Sequence, residues 1–414
     1  MSEFRFLHAA DIHLDSPMRG LKADPDAPVA LIRDASRATF RNLIDLAIDE
    51  RVAFVLIAGD LYDGDWKDWR TGLFFTEQAA RLAEAGIWLL LIAGNHDAAS
   101  IITRNLRLPQ HITLFPHEES GQLVLEEHGV AVYGQSFATR AVTHDLTRNY
   151  PKALPGLFNI GLLHTSLTGR PGHENYAPTT PDALIAREYD YWALGHVHAR
   201  EVVHEDPWIV FPGNLQGRQI RESGPKGATL VTVSDGRVAR VEHRILDVFR
   251  WCSIEVPVAD DRDLDSALER IANALSTSLQ AADGRPIAAR ITLTGATPLH
   301  EQLITEAERV RQGVIAEGRQ HGIDAVWIES VVIGTTSAAD FGSLATRPDA
   351  VGRLTKVLDE LAGGACTDFL GDYPGRLRDR IPEGALPAEH PLHDRVALLT
   401  RARELVLANL LGDG

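Results

Sequence analysis

Short apolar runs alternate with helix-spaced segments over the first hundred residues of the chain. Apolar runs of strand length cover Phe4–Ala10, Val52–Ala58 and Ile87–Ala93. Between them, Ser36–Glu50 and Thr71–Ala85 carry apolar residues at helical intervals. The pattern therefore predicts the order strand, helix, strand, helix, strand. Because the strand-like runs are apolar on both faces, we expect mostly parallel strands buried between layers of helices.

The rest of the chain falls into three stretches. Further strand-like runs continue to about residue 246, and Ser234-Asp235-Gly236 between the last two predicts a hairpin. The strand and helix patterns that follow favour a small α/β domain. A mainly helical region closes the chain, and one face of its last helix, which could dock a partner, carries Leu399, Ala402, Val406 and Leu410. We predict domains at residues 1–246, 247–337 and 338–414.

Composition and charge are those of an ordinary globular chain. The 414 residues are 44% hydrophobic and 24% charged, are too many for one core, and contain no run of transmembrane length. Cys252 and Cys366 form neither a metal-ligand pair nor a disulfide framework, so we expect a cytoplasmic setting and no membrane partner. The formal charge of −16 argues against a broadly basic surface. Four basic residues near the last cluster could form a local basic groove, or they could be merely scattered solvated charges. They are Arg200, Arg218, Arg221 and Lys226.

Polar clusters stand at the ends of the apolar runs. The five clusters, which offer carboxylate, imidazole and amide groups, are Asp11-Ile12-His13, Gly59-Asp60-Leu61-Tyr62-Asp63, Gly94-Asn95-His96-Asp97, His164 and Gly195-His196-Val197-His198. Functional sites of open α/β sheets gather beyond the carboxyl ends of the strands. We therefore expect all five clusters to meet at one site.

These clusters contain more potential metal ligands than a single ion needs. The seven candidates are Asp11, His13, Asp60, Asn95, His164, His196 and His198. Two ions that share a bridging carboxylate would use them, and such paired ions clamp a phosphate and activate a water. The mixed oxygen and nitrogen donors suit manganese, with iron or zinc as alternatives. A single Gly-Asp or Gly-Asn pair is more simply a turn, so the prediction depends on the ordered set of five.

The ordered motifs D-x-H, G-D-x-x-D, G-N-H-[DE], H and G-H-x-H resemble those of the calcineurin-like metallophosphoesterase superfamily over about residues 4–246. The resemblance implies an α/β fold in which two mixed β-sheets form a sandwich flanked by helices, with two metals at the strand ends. It also implies two ligand sets that share Asp60. One metal would be held by Asp11, His13, Asp60 and His198, and the other would be completed by Asn95, His164 and His196.

The same resemblance implies catalytic roles for two further residues. His96 would contact the phosphate or protonate the leaving oxygen, which suits a side chain whose ordinary pKa lies near neutrality. Asp97 would orient His96 through its carboxylate. The alternatives are a supporting role for His96 and a helix N-cap for Asp97.

Residues around the clusters resemble one branch, the bacterial DNA repair exonucleases of the SbcD and YhaO type. The similar segments are HAADIHLDSP at 8–17, ALGHVH at 193–198 and FPGNLQ at 211–216. The small domain after Leu246 is similar to the capping domain of that branch. Because such nucleases pair with a coiled-coil ATPase of the SbcC type, the implied partners are DNA, that ATPase and a second copy of the chain. One departure is Asp63, where some members of the branch carry a histidine.

Three functions fit these observations. The first is a manganese-dependent DNA exonuclease in repair or end processing that works with the ATPase. The second is a small-molecule phosphodiesterase or phosphatase, which the acidic balance permits and the capping module disfavours. The third is a structural subunit of the ATPase complex, which the intact ligand set disfavours.

Overall fold

Two compact units make up the protein, for which the structure is a computed structural model. It describes residues 3–16, 28–63, 69–99, 111–169, 174–322, 324–338, 344–362 and 373–378, with scattered positions from 380 to 406. The first unit ends at Trp251 and the second begins at Cys252. No helix in this described part of the chain is long and apolar enough to cross a membrane.

The first unit begins with the predicted succession of strands and helices. These elements are β1 (Phe4–Ala9), α1 (Val29–Asp49), β2 (Phe54–Ala58), α2 (Trp69–Glu84) and β3 (Trp88–Ile92). A strand-rich part follows, with β4 (Ile112–Leu114), β5 (Gly121–Leu125), β6 (Val130–Gly134), β7 (Phe158–His164), α3 (Pro181–Ile185), β8 (Tyr191–Gly195), β9 (Glu201–Glu205), β10 (Trp208–Phe211), β11 (Gly227–Ser234) and β12 (Arg237–Ile245).

These strands form two six-stranded mixed sheets, which confirms the expected sandwich architecture. The first sheet has the order β12-β11-β1-β2-β3-β4, in which β1 to β4 are parallel and β11 and β12 are antiparallel. The second has the order β5-β6-β7-β8-β10-β9, with a parallel centre and antiparallel edge pairs.

The first sheet is buried on both faces, but the two faces meet different layers. Leu7 and Val55 point to one face and pack with Phe40 of α1. Phe6 and Phe54 point to the other, where their rings stack 5.0 Å apart and Phe6 meets Tyr191 of the second sheet edge-on at 5.2 Å. The expectation of helices on both sides was therefore wrong for this sheet. Continuous apolar strands look the same whether a helix or another sheet covers them.

The predicted hairpin joins β11 to β12. Ser234 pairs with Arg237, which leaves Asp235 and Gly236 as a two-residue loop. Their φ angles are 52° and 74°. Two positive φ values are typical of a type I′ turn, and this turn matches the right-handed twist of the flanking strands.

The second unit contains a three-stranded sheet packed against helices. Its elements are β13 (Arg250–Pro257), which spans the division between the units, α4 (Leu264–Ala281), β14 (Ile287–Thr297), α5 (His300–Thr305), α6 (Ala307–Gln320), β15 (Val326–Ser337), α7 (Ala350–Ala362) and α8 (Tyr373–Arg378). The strand order is β13-β14-β15, with β14 and β15 parallel. The predicted docking helix at the C-terminus lies largely outside the described residues.

We expect Gly161→Ala in β7 to destabilise the sandwich. A Cβ atom at Gly161 would lie 2.4 Å from the Trp192 ring, which is fully buried beside Tyr150 and Tyr189. Overpacking of this kind costs about 1–3 kcal/mol. Denaturant unfolding followed by tryptophan fluorescence would measure the loss.

Gly318→Ala in α6 is the matched control. Its Cβ atom would meet neighbours at an ordinary 3.4 Å, and alanine favours a helix interior by up to about 1 kcal/mol. Equal stability of Gly161→Ala and the wild type would contradict the packing argument.

Candidate metal centre

The seven predicted ligands meet at one edge of the sandwich. Asp11 and His13 follow β1, Asp60 follows β2, and Asn95 follows β3. His164 ends β7, and His196 and His198 follow β8. Since these strands are parallel within their sheets, their carboxyl ends lie together. Ligand atoms come within 4.8 Å of one another in three groups, which are Asp11/His13/His198, His13/Asp60/His96 and Asp11/Asp60/His164.

Four of these residues hold a backbone conformation that L-residues rarely adopt. The φ angles are 52° at Asp11, 47° at His13, 53° at Asp60 and 98° at His196. Backbone hydrogen bonds from Asp11 N–H to the carbonyl of Gly59 (3.1 Å) and from His13 N–H to the carbonyl of Asp60 (3.0 Å) stabilise the first two loops. Such conformations persist where surrounding contacts over-determine them, and they cluster at functional sites.

The glycines that precede the ligands are needed for close approach of the loops. A Cβ atom at Gly94 would lie 2.3 Å from Oδ1 of Asp60. At Gly195 it would lie 1.9 Å from the carbonyl oxygen of Ala58. Any side chain at either position would therefore push the strand ends apart and separate the ligands.

His13 is buried, and neither of its ring nitrogens has a hydrogen-bond partner among the residues that the structure describes. Burial, followed by the nearby charge of Arg218, lowers the pKa of His13 well below its usual value, so the ring is neutral. Its Nε2 lies 3.9 Å from Oδ2 of Asp60. Buried polar atoms without partners are costly and rare. A cation between Nε2 of His13 and the Asp60 carboxylate would give that nitrogen a partner, so this pair fits a metal.

His164 and Asn95 present two acceptors to the same point. Nδ1 of His164 lies 2.9 Å from the carbonyl of Ala58 and donates to it, which leaves Nε2 with its lone pair in the neutral ring. That Nε2 lies 2.9 Å from Oδ1 of Asn95 and 3.5 Å from Oδ2 of Asp60. Burial lowers the pKa of His164, which favours the neutral form. Three acceptors around one point fit a second cation.

Asp11 adds a further carboxyl group to this buried region. Burial, and then the charge of Asp60, raise the pKa of the Asp11 carboxyl well above its usual range. The carboxylate accepts the backbone N–H of His196 at 3.0 Å. The ring of His196 lies against His164, and its Nε2 is 2.9 Å from the carbonyl of Glu174. Two cations would offset the charge of the buried carboxylates.

Glu222 supports His198 and was not found from the sequence. Nδ1 of His198 donates to Oε1 of Glu222 at 2.8 Å, which leaves Nε2 directed toward Asp11 at 3.9 Å. The second oxygen of Glu222 accepts from Asn214 at 2.9 Å and from the backbone N–H of Arg218 at 2.7 Å. Burial disfavours the charged form, but these bonds outweigh burial and hold the pKa of Glu222 at about 2. A carboxylate that fixes the tautomer of a ligating histidine is common in metal sites.

Asp63, not Asp97, contacts the ring of His96. Nδ1 of His96 lies 2.5 Å from Oδ1 of Asp63. The Asp97 carboxylate accepts backbone N–H groups from Leu61 (3.1 Å), Tyr62 (2.8 Å) and Gly94 (3.0 Å). The prediction that Asp97 orients His96 was therefore wrong. Asp97 ties the loop after β2 to the loop after β3, and thereby holds Asp60 and Asn95 together.

Comparison with protein families gives two matches. The model described as calcineurin-like phosphoesterase matches residues 4–200. The model described as metallophosphoesterase YhaO, middle domain, matches residues 251–336. The chain belongs to the calcineurin-like metallophosphoesterases.

Among known proteins, the chain is similar to the uncharacterized metallophosphoesterase YhaO of Bacillus subtilis. The two are 35% identical over 304 residues, which cover 72% of this chain and 73% of YhaO. A DNA double-strand break repair protein Mre11 of Sulfurisphaera tokodaii is 28% identical, over 60% of this chain and 64% of Mre11. The Mre11 of Sulfolobus acidocaldarius is 25% identical, over 75% of this chain and 80% of Mre11.

Glu222→Gln should weaken metal binding by about 10- to 100-fold. The carboxylate serves donors on both sides, His198 on one and Asn214 with the Arg218 N–H on the other. A glutamine can offer its oxygen to one side only and must turn N–H groups toward the other. Calorimetric titration with Mn²⁺ would measure the change, and the exposed Glu205→Gln is the control. If Glu222→Gln bound Mn²⁺ with unchanged affinity, Glu222 would have no role in metal binding.

Asp97→Asn should destabilise the protein by about 1–3 kcal/mol, because its amide nitrogen cannot accept the backbone N–H groups that the carboxylate now binds. Thermal unfolding of the purified variant would measure this loss. If Asp97 instead served only to orient His96, the variant would unfold like the wild type and lose activity alone.

Proposed function

We propose that the chain is a manganese-dependent DNA exonuclease that works with a coiled-coil ATPase in DNA repair or end processing. The observation that carries the proposal is the convergence of six predicted ligands on one buried region, with the partly exposed His96 beside them. The six are Asp11, His13, Asp60, Asn95, His164 and His198. Membership of the metallophosphoesterases supports phosphoester hydrolysis at this site. The lower-identity similarity to Mre11 supports DNA as the substrate.

The ligand residues would hold two divalent ions in the sets expected from the sequence. One set comprises Asp11, His13, Asp60 and His198, and the other comprises Asn95, His164 and His196, with Asp60 shared. When bound, such ions polarise a phosphate and lower the pKa of a bound water so that hydroxide can attack.

His96 is suited to protonate the leaving oxygen. Its side chain is 30% exposed, and its Nδ1 contacts Asp63, so Nε2 is the atom available to a substrate. Burial disfavours the charged ring, but the hydrogen bond to Asp63 and the charge of Asp60 outweigh burial and raise the pKa of His96. An imidazole whose ordinary pKa lies near neutrality, with its ring held by a carboxylate, suits a general acid.

The ATPase partner is supported by the resemblance of the flanking segments and by the match of the second unit to the middle domain of YhaO. A second copy of the chain is proposed on the same ground. Co-purification of the two proteins after co-expression would test the ATPase assignment. Separate migration of the two proteins in size-exclusion chromatography would contradict it.

Asp60→Ala should abolish Mn²⁺-dependent degradation of linear DNA, and His96→Gln should lower its rate by about 10²- to 10⁴-fold. Asp60 lies in two of the three candidate ligand groups, whereas His96 acts on the proton. Time courses on end-labelled linear DNA with Mn²⁺ would measure both effects. His144→Gln, at an exposed histidine, is the control and should cut DNA at the wild-type rate.

Two outcomes would contradict the proposal. DNA degradation that survives Asp60→Ala would place the activity elsewhere or in a contaminant. Rapid hydrolysis of a small phosphodiester without any cutting of DNA would favour a small-molecule phosphodiesterase.

A further inference from the structure

Arg218 lies beside the candidate metal centre, and within the described part of the chain few of its hydrogen-bond donors have a partner. Its Nη1 donates to Oγ of Ser16 at 3.4 Å. The carboxylates of Asp63 and Glu222 lie 3.6 and 3.7 Å from its terminal nitrogens, which is beyond hydrogen-bond distance. Its Nε is buried, without a partner among the described residues, so the donors that can reach a ligand are the N–H groups on the two terminal nitrogens. A guanidinium carries five N–H donors, so this arginine can still bind an oxyanion.

The position of Arg218 is fixed by its backbone. The backbone N–H donates to Oε2 of Glu222 at 2.7 Å, and Glu222 holds His198. The side chain then extends to Asp63, which holds His96. Arg218 therefore lies between Glu222, which supports a predicted metal ligand, and Asp63, which contacts the predicted general acid. A quarter of its side chain stays exposed.

The positive charge of Arg218 reaches the reacting groups. Burial has the largest effect on the pKa values of Asp11, His13 and His96, and the charge of Arg218, a further influence, acts to lower all three. The other basic residues near the last cluster are placed differently. Lys226 is buried and donates to the carbonyl of His198 at 3.0 Å, and Arg200 is exposed.

We propose that Arg218 is a substrate-binding residue whose spare guanidinium N–H groups contact a phosphate oxygen of the bound phosphodiester. This inference rests on the phosphoester hydrolysis proposed above and deepens it. Arginine suits the role because its planar donors match a phosphate and its charge stays fixed. The loose contacts to Asp63 and Glu222 hold the guanidinium in place and leave its donors available.

Steady-state kinetics of the Mn²⁺-loaded full chain would test this, with bis(p-nitrophenyl) phosphate as substrate and inorganic phosphate as inhibitor. Arg218→Gln should raise KM and the inhibition constant of phosphate together, by about 10- to 100-fold. The Mn²⁺ affinity measured by calorimetry should not fall, because Arg218 is a positive charge near the predicted ligands and supplies no ligand atom itself. Arg218→Lys should recover part of the loss, because it keeps the charge without the planar fork.

Salt dependence gives a second readout on a single-stranded oligonucleotide. Removal of one phosphate contact should lower the slope of log affinity against log salt by about 0.7. Arg237→Gln, at an exposed arginine in the β11–β12 hairpin, is the control and should bind and hydrolyse as the wild type does.

Two results would overturn the inference. The first is a KM and a phosphate inhibition constant that stay within about twofold of the wild type in Arg218→Gln. The second is a Mn²⁺ affinity that falls in step with the rise in KM, since that would make Arg218 a structural support of Glu222. If the wild type hydrolyses the small diester but not DNA, the DNA proposal fails while the KM comparison still decides the role of Arg218. If it hydrolyses neither, calorimetric binding of inorganic phosphate to the Mn²⁺-loaded protein decides it.

Discussion

Buried charge at the ends of the parallel strands is the constraint on which the site depends. Asp11 and Asp60 lie together away from water, and His13 and His164 stay neutral beside them. An arrangement of carboxylates and lone pairs without counter-charge would be strongly unfavourable. Bound cations would remove that cost. The left-handed backbone at Asp11, His13 and Asp60 is a strained conformation of the kind that clusters at functional sites.

The fold provides this arrangement through the geometry of its two sheets. Parallel strands end at the same edge, so the loops after β1, β2 and β3 are brought together by pairing alone. The second sheet contributes β7 and β8 in the same way. Between the sheets, the ring of Phe6 packs edge-on against Tyr191, and this close packing holds the two sheets against each other.

The sequence predicted the succession of strands and helices at the N-terminus, and it predicted candidate ligands at the strand ends, because both depend on local signals. Each ligand follows an apolar run directly, and parallel pairing then brings the clusters together. The supporting residues depend on long-range contacts and could not be found in this way. Glu222 lies 24 residues from His198 in the chain, and nothing in the intervening sequence marks the pair. Asp97 was misassigned because adjacency to His96 suggested contact, whereas its carboxylate binds backbone of the neighbouring loop. The prediction that helices cover both faces of the first sheet was wrong because an apolar strand has the same sequence pattern whether a helix or a second sheet packs on it.

Asp63 shows how one departure from the expected branch can be accommodated. A carboxylate where some members of the branch carry histidine adds negative charge close to the candidate metal centre. Two neighbours offset that charge, since Asp63 contacts His96 at 2.5 Å and lies 3.6 Å from Arg218. The hydrogen bond favours the protonated form of His96, and the guanidinium of Arg218 adds positive charge beside Asp63. Exposed charges farther away than about 10 Å are largely screened by salt, so these local charges, and not the formal −16 of the whole chain, dominate the electrostatics of the candidate centre.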